Sequence, residues 1–325
     1  MTRRRLLRNL WVAAGAGAGQ GLGRLPQKEG GMTQAELHIE RFRRGERFQP
    51  PARAFLTGGG VPQEELNVLA YALRTESAPV REEIVRLLAD AGFRSDPLFA
   101  SGGQVIRHPG IIYVLVEYGL AQPDPGRDAA LETLQTYVPP DLLAPYGPQL
   151  TGDLERTPDS TAFLVIAKGK PPVAVPVVRK LLLMPRWAKQ QEARVAAAAL
   201  GDKGIEKDFV EMFLGAQEAK EKAKLARVLG WIGTEDALRA LAGQMRTDLI
   251  FEVPRAFRRS VRLDIMAALG YNFPALTFLY ENSIRNDQDY ARVEQFCEQR
   301  FQVQWDRPRP PYLKIQGYPI PAPAR

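Results

Sequence analysis

From Gln63 onward the chain settles into a helical rhythm. Leu66, Leu69, Ala70 and Leu73 recur at i, i+3, i+4 and i+7, and Ile84, Leu87, Leu88 and Ala91 repeat the stripe after a short connection. Apolar positions so spaced share one side of a helix, so the two stretches predict an amphipathic helical hairpin. Pro79 sits where a first turn tolerates it, and Gly92 marks the expected stop. Ahead of them residues 33–49 are polar, with Leu37, Ile39 and Phe42 as apolar anchors, and predict one short helix before Pro50, Pro51 and the glycine run 58–60.

The rhythm returns between residues 189 and 282 as a repeat. Aligned on a Leu-Gly dipeptide, Arg194 to Gly201, Ala223 to Gly230 and Leu263 to Gly270 superpose with offsets of 29 and 40 residues. A second apolar stripe follows each dipeptide: Ile205, Phe209, Met212 and Phe213, then Ala237, Leu238 and Leu241, then Leu276 and Leu279. Each copy therefore predicts helix, glycine stop, helix, with the glycine in a left-handed cap and small residues such as Ala196, Ala197, Ala226 and Ala267 permitting close stacking. One hairpin hides only one face, so copies must pile up to make a continuous core. The expectation is an all-α, right-handed α-solenoid of five to seven stacked helical hairpins.

Glu235-Asp236-Ala237-Leu238 and Leu241, following Leu229-Gly230-Trp231-Ile232-Gly233, resemble the short HEAT-like repeat also found in phycobilisome lyases. The resemblance is best over residues 189–245 and extends to 282 and to 63–92. It implies a recognition surface without an invariant catalytic residue. The third copy departs from it, with Tyr271-Asn272-Phe273-Pro274 in place of Trp231-Ile232-Gly233-Thr234.

Residues 93–188 are broken by Gly102-Gly103, Pro109-Gly110, Pro123, Pro125-Gly126, Pro139-Pro140 and Pro145, and predict short helices near 111–118, 128–137 and 173–184. They read as degenerate repeats with long loops, or as a separate helical subdomain. Past Arg300 the tail holds six prolines in 25 residues, which predicts an extended segment capping the last repeat. The expected plan is a leader (1–31), an N-terminal helix and linker (32–60), the solenoid (61–300) and the tail (301–325).

Composition alters this picture mainly at the N-terminus. The formal net charge is +7, but residues 1–31 hold Arg3, Arg4, Arg5, Arg8, Arg24 and Lys28 against Glu29 alone, leaving 38 basic and 36 acidic residues elsewhere. A nucleic-acid reading loses most of its support, because phosphate binding needs excess charge on the folded surface. Thr2 to Arg8 fits a twin-arginine export motif followed by an Ala/Gly-rich stretch with small-x-small cleavage sites, which would send the chain to the periplasm. Alternatively, Lys28-Glu29 reads as AAG GAG, a ribosome-binding sequence correctly spaced from Met32, and translation from Met32 would leave the protein in the cytoplasm. No run reaches the ~18 apolar residues that a spanning helix needs.

Candidate contact residues come from two patterns. Arg255, Arg258, Arg259 and Arg262 follow Pro254 at i, i+3, i+4 and i+7, which on a helix makes a cationic face for an acidic partner or for carboxylates of a neighbouring repeat. Trp231 and Tyr271 stand at repeat connections, where aromatics either anchor an interface or fill the inter-repeat core. Cys297, the single cysteine, reads as a buried small hydrophobe, and His38 and His108 as surface or loop residues. No Walker loop, G-x-S-x-G elbow, H-E-x-x-H helix or G-x-G-x-x-G turn occurs, and no catalytic, metal or cofactor residue is assigned. The expected function is a monomeric, non-catalytic scaffold binding another protein, with cofactor handling of the lyase or isomerase kind and a HEAT-like DNA glycosylase as alternatives.

Overall fold

The computed structural model describes residues 32–50, 61–95, 105–253, 257–273, 276 and 287–310, and the fold over them is helical. Helix α1 (Gln34–Arg43) opens with a capping box in which Thr33 Oγ1 accepts from the Glu36 amide at 3.1 Å while the Glu36 carboxylate accepts from the Thr33 amide at 2.7 Å. The predicted first hairpin follows as α2 (Gln63–Thr75) and α3 (Ala78–Ser95), with both apolar stripes buried. Next come α4 (Pro109–Val114), a π-helical turn at Leu115–Gly119, and α5 (Pro125–Tyr137), which Asp124 caps ahead of Pro125. Residues 140–182 give α6 (Pro140–Leu143), α7 (Gly147–Arg156), α8 (Ser160–Gly169) and α9 (Val175–Leu182). Pro176 falls at the start of α9, as its missing N–H requires.

The remaining described helices are α10 (Pro185–Ala188), α11 (Gln191–Ala199), α12 (Lys203–Gly215), α13 (Ala219–Ile232), α14 (Glu235–Gly243), α15 (Val261–Asn272) and α16 (Asp287–Phe301). Packing follows chain order. α3 lies on α5, α5 on α8, α8 on α11, α11 on α13 and α13 on α15, while α2, α4, α7, α9, α12 and α14 each pack against a helix of this row and α16 packs against α14. The three Leu-Gly helices, α11, α13 and α15, are therefore neighbours. Helix α11 is nearly all alanine on its buried sides, and across so slim a helix α8 also touches α13.

Two expectations need correction. Gly201 is left-handed with φ of 103°, as predicted for a stop, but Gly230 lies inside α13 and the stop falls three residues later at Gly233, φ 55°. Gly230 serves packing instead, since a Cβ there would stand 2.7 Å from Ala268 Cβ and 2.9 Å from its Cα on α15. Gly270 likewise falls within α15, and Gly92, the expected stop of the first hairpin, lies buried within α3, which runs on to Ser95; the second helix expected for the third copy lies outside the described residues apart from Leu276.

The larger correction is at the arginine stripe. Two short strands pair antiparallel there, β1 (Ile250–Val253) and β2 (Phe257–Ser260), with Phe251 opposite Arg259 and Glu252 opposite Arg258. The helical reading counted the arginines alone. Ile250, Phe251, Val253 and Phe257, β-branched or aromatic and divided by Pro254, favour strands, and a strand gives consecutive positions to opposite faces.

Candidate interaction surface

Of the residues singled out in the sequence, the side chains of Arg259, Arg262, Trp231 and Tyr271 are described. Arg255 lies outside the described residues, and Arg258 belongs to β2. Arg259 makes a two-pronged ion pair with Asp264, Nε to Oδ2 at 2.9 Å and Nη2 to Oδ1 at 3.2 Å, and Arg227 of α13 reaches the same carboxylate at 3.3 Å. Arg262 is buried. Its Nε donates to the Met245 carbonyl at 3.1 Å and Nη1 to the Pro310 carbonyl at 2.8 Å, over the Tyr290 ring 3.7 Å away. Arg258 and Arg259 in a strand and Arg262 at a buried helix start do not make the single helical face that their spacing predicted.

Trp231 is half-buried in the last turn of α13 and packs on the core. Tyr271 is half-buried at the end of α15, where Lys168 Nζ lies 5.0 Å from its ring centroid. Lys168 is the unexpected residue of this region. It is 2% exposed on α8, donates to the Gln135 carbonyl of α5, and burial pushes its pKa down from 10.5 to about 7. Lys170 caps the same helix in the left-handed conformation, φ 48°, with its pKa lowered by burial. A side chain at Gly233 would strike Lys170 Nζ and Asn272 Oδ1, so the ends of α8, α13 and α15 meet here.

The tail was expected to cap the last repeat, and its described part lies on α14 and α16. Trp305 Nε1 donates to the Ala242 carbonyl at 3.1 Å, beneath Arg246 at 4.7 Å, and Arg246 Nη1 donates to the Arg307 carbonyl at 2.9 Å. Arg246 and Arg309 both donate to the buried Glu294 carboxylate, at 3.0 and 2.9 Å. Cys297 is fully buried near Glu294 and Glu298, its thiol pushed up to about 12 by burial first and by those carboxylates second. His108 caps α4, its Nδ1 accepting from the Ile111 amide at 3.4 Å, a role the sequence reading missed.

A different set of residues is gathered on the outside of the first helices. Helices α2 and α4 run in register: Leu66 stands beside Gly110 and Arg74 lies over the Tyr118 ring at 5.9 Å. Tyr71 and Tyr113 are exposed on these two helices, 43% and 37%. Tyr118, on the π turn, sets its ring edge-on to Tyr113 at 6.1 Å. Tyr113 is pushed up to about 12 by burial first, and then by Tyr118, Glu117 and Tyr146. Tyr146 is raised for the same leading reason, with Glu117 adding to it, and Glu117 also accepts from Gln149 Nε2 of α7 at 3.0 Å.

Amphipathic aromatic rings with hydrogen-bonding tips are what an interface anchor requires, because they bury much area for little lost freedom. The π turn widens the backbone at the point where Glu117 and Tyr118 leave the core. A signal existed in the sequence. Tyr71 falls off the Leu66, Leu69, Ala70, Leu73 stripe onto the polar side of its helix, where a large ring has no packing purpose.

Among the described residues no group of three His, Cys, Asp or Glu side chains is placed to hold a metal ion, and no helix is long and apolar enough to cross a membrane. Compared with known protein families, with curated proteins and with solved structures, the chain matches none.

Proposed function

We propose that the chain is a right-handed α-solenoid of HEAT-like hairpins that acts as a non-catalytic scaffold, binding another protein through the outer surface of α2, α4 and the π turn. The observation that carries the proposal is the tyrosine group: Tyr113, Tyr118 and Tyr146 come together around Glu117, and Tyr71 on the adjoining α2 is exposed, as is Tyr113. Helices that pack in chain order support the solenoid reading, since that is how stacked hairpins build one core. The contact site thus differs from the arginine stripe, Trp231 and Tyr271.

Capture of partners from the native host tests this. Substituting Tyr71 and Tyr113 by Ala removes two exposed rings and leaves the buried stripe intact, so the fold should hold, as circular dichroism can confirm. Interface anchors typically contribute about 2 kcal/mol each. The double variant is therefore expected to lose the partners that the wild-type chain retains after washing. An identical set of captured proteins would exclude this surface as the contact.

A further inference from the structure

Residues 160–191 contain no Asp or Glu and six cations: Lys168, Lys170, Arg179, Lys180, Arg186 and Lys189. Between Ala162 and Lys189 every side chain able to make a hydrogen bond is a lysine, an arginine or the indole of Trp187. Most of this stretch is core. Phe163, Val165, Ile166, Ala174, Val178, Leu181 and Trp187 are buried. Its surface, however, is formed by α9 and the turn into α10, and there the large apolar residues point outward: Leu183 is 85% exposed, Val173 51% and Met184 42%.

These are not scattered positions. Val173, Pro176, Lys180 and Leu183 succeed one another at helical spacing on the side of α9 away from Val178 and Leu181. Met184 and Pro185 extend that side around the turn, and Arg179, Arg186 and Lys189 are exposed beside it. Among the described residues these last three form no ion pair, and Lys180 meets only the exposed Glu155, at 3.5 Å. The guanidinium of Arg186 lies over the Trp187 ring at 4.7 Å, which holds its charge at the surface.

We infer that this face is a docking surface for an anionic phospholipid bilayer. A protein partner presents mixed donors and acceptors, and interfaces with proteins carry matching polar groups of both kinds. This face is one-sided: apart from Glu155, which meets Lys180, it presents a protruding Leu-Met tip and cations, which complements acyl chains beneath a layer of phosphate. The tip would sit at the boundary of headgroups and chains, with the lysine and arginine stems lying alongside and their charges among the phosphates. Binding of this kind is interfacial and reversible, and it requires no spanning segment.

Flotation of the full-length protein with vesicles of phosphatidylcholine, or of phosphatidylcholine mixed with phosphatidylglycerol, tests the inference. The protein should bind the mixed vesicles at low salt, and less well to pure phosphatidylcholine or at high salt. Because Leu183 is almost wholly in solvent, Leu183→Asp leaves the core untouched and should weaken binding roughly tenfold or more. Arg179→Glu combined with Lys180→Glu should weaken it on the order of tenfold or more while abolishing the preference for anionic vesicles. Met212→Ser, at an exposed position on α12, should leave binding unchanged.

Failure of the wild-type protein to bind any vesicle would overturn the inference. So would equal binding by the wild type and Leu183→Asp, since attachment would then lie elsewhere, as in the basic residues of 1–31. Loss of a protein partner on Leu183→Asp without any vesicle binding would assign the face to a protein instead, and would likewise overturn it.

Discussion

Lys168 places an amine where water does not reach. With burial as the cause and the Gln135 carbonyl as its acceptor, its pKa falls from 10.5 to about 7. The folded chain is thus reluctant to bind a proton that the unfolded chain binds readily. Between about pH 7 and 10.5 the unfolded state carries more protons, so stability rises with pH across that window and is lost as pH falls through it. Cys297 and Tyr113, both pushed up to about 12, act in the opposite sense only above their ordinary values of 9.0 and 10.0. Lys170 and Lys222 are also lowered by burial, so urea melts between pH 7 and 9 isolate Lys168 only as the difference between wild type and Lys168→Met, in which the other two cancel. Wild type should gain on Lys168→Met by up to about 1.4 kcal/mol per pH unit. Parallel profiles would mean that the amine stays charged and hydrated. Neither Lys168 nor Arg262 was legible in the sequence as a buried residue. A cation reads as solvent-facing by default, and the acceptors that permit its burial, Gln135 for one and Met245 and Pro310 for the other, come from distant segments.

The elements were read best where two signals agreed. Helices α2, α3, α11, α13 and α14 follow from apolar spacing joined to caps or glycine stops, and each apolar stripe is buried as expected. The strand pair was misread because charge spacing stood alone there. Gly230 was misread because a glycine can stop a helix or admit a neighbour, and only the neighbour decides which. That ambiguity yields a measurable sign. In an exposed helix Gly→Ala gains about 1 kcal/mol from propensity. At Gly230 the new Cβ meets the Ala268 backbone as well as its side chain, and a backbone cannot swing aside. Gly230→Ala should therefore destabilise by about 1–3 kcal/mol, with Ala268→Gly recovering only part of the loss. A stabilised variant would show that α13 and α15 are not held this close. The tyrosine group was missed at this scale too, because its members lie on separate elements, α2, α4, the π turn and the turn before α7, and no single helical wheel displays them together.

For the whole molecule, packing in chain order means that stability is divided among neighbours. A helix such as α16 contributes to α14 and the tail, and among the described residues reaches α2 or α3 only through a succession of intervening helices. The tail makes this testable. Residues 302–310 supply Trp305 to the Ala242 carbonyl, Arg309 to the buried Glu294, and the Pro310 carbonyl to Arg262. Deleting residues 302–325 withdraws all three at once. Arg262 loses its Pro310 acceptor, Glu294 loses one of its arginines, and an apolar end is uncovered. Hydrogen exchange should then rise in α14, α15 and α16 and fade toward α13, with α2, α3 and α5 as protected as before, because local openings spread only as far as the contacts they break. A uniform loss of protection from α2 to α16 would instead describe one all-or-none globule. That result would contradict the stacked-hairpin architecture proposed above.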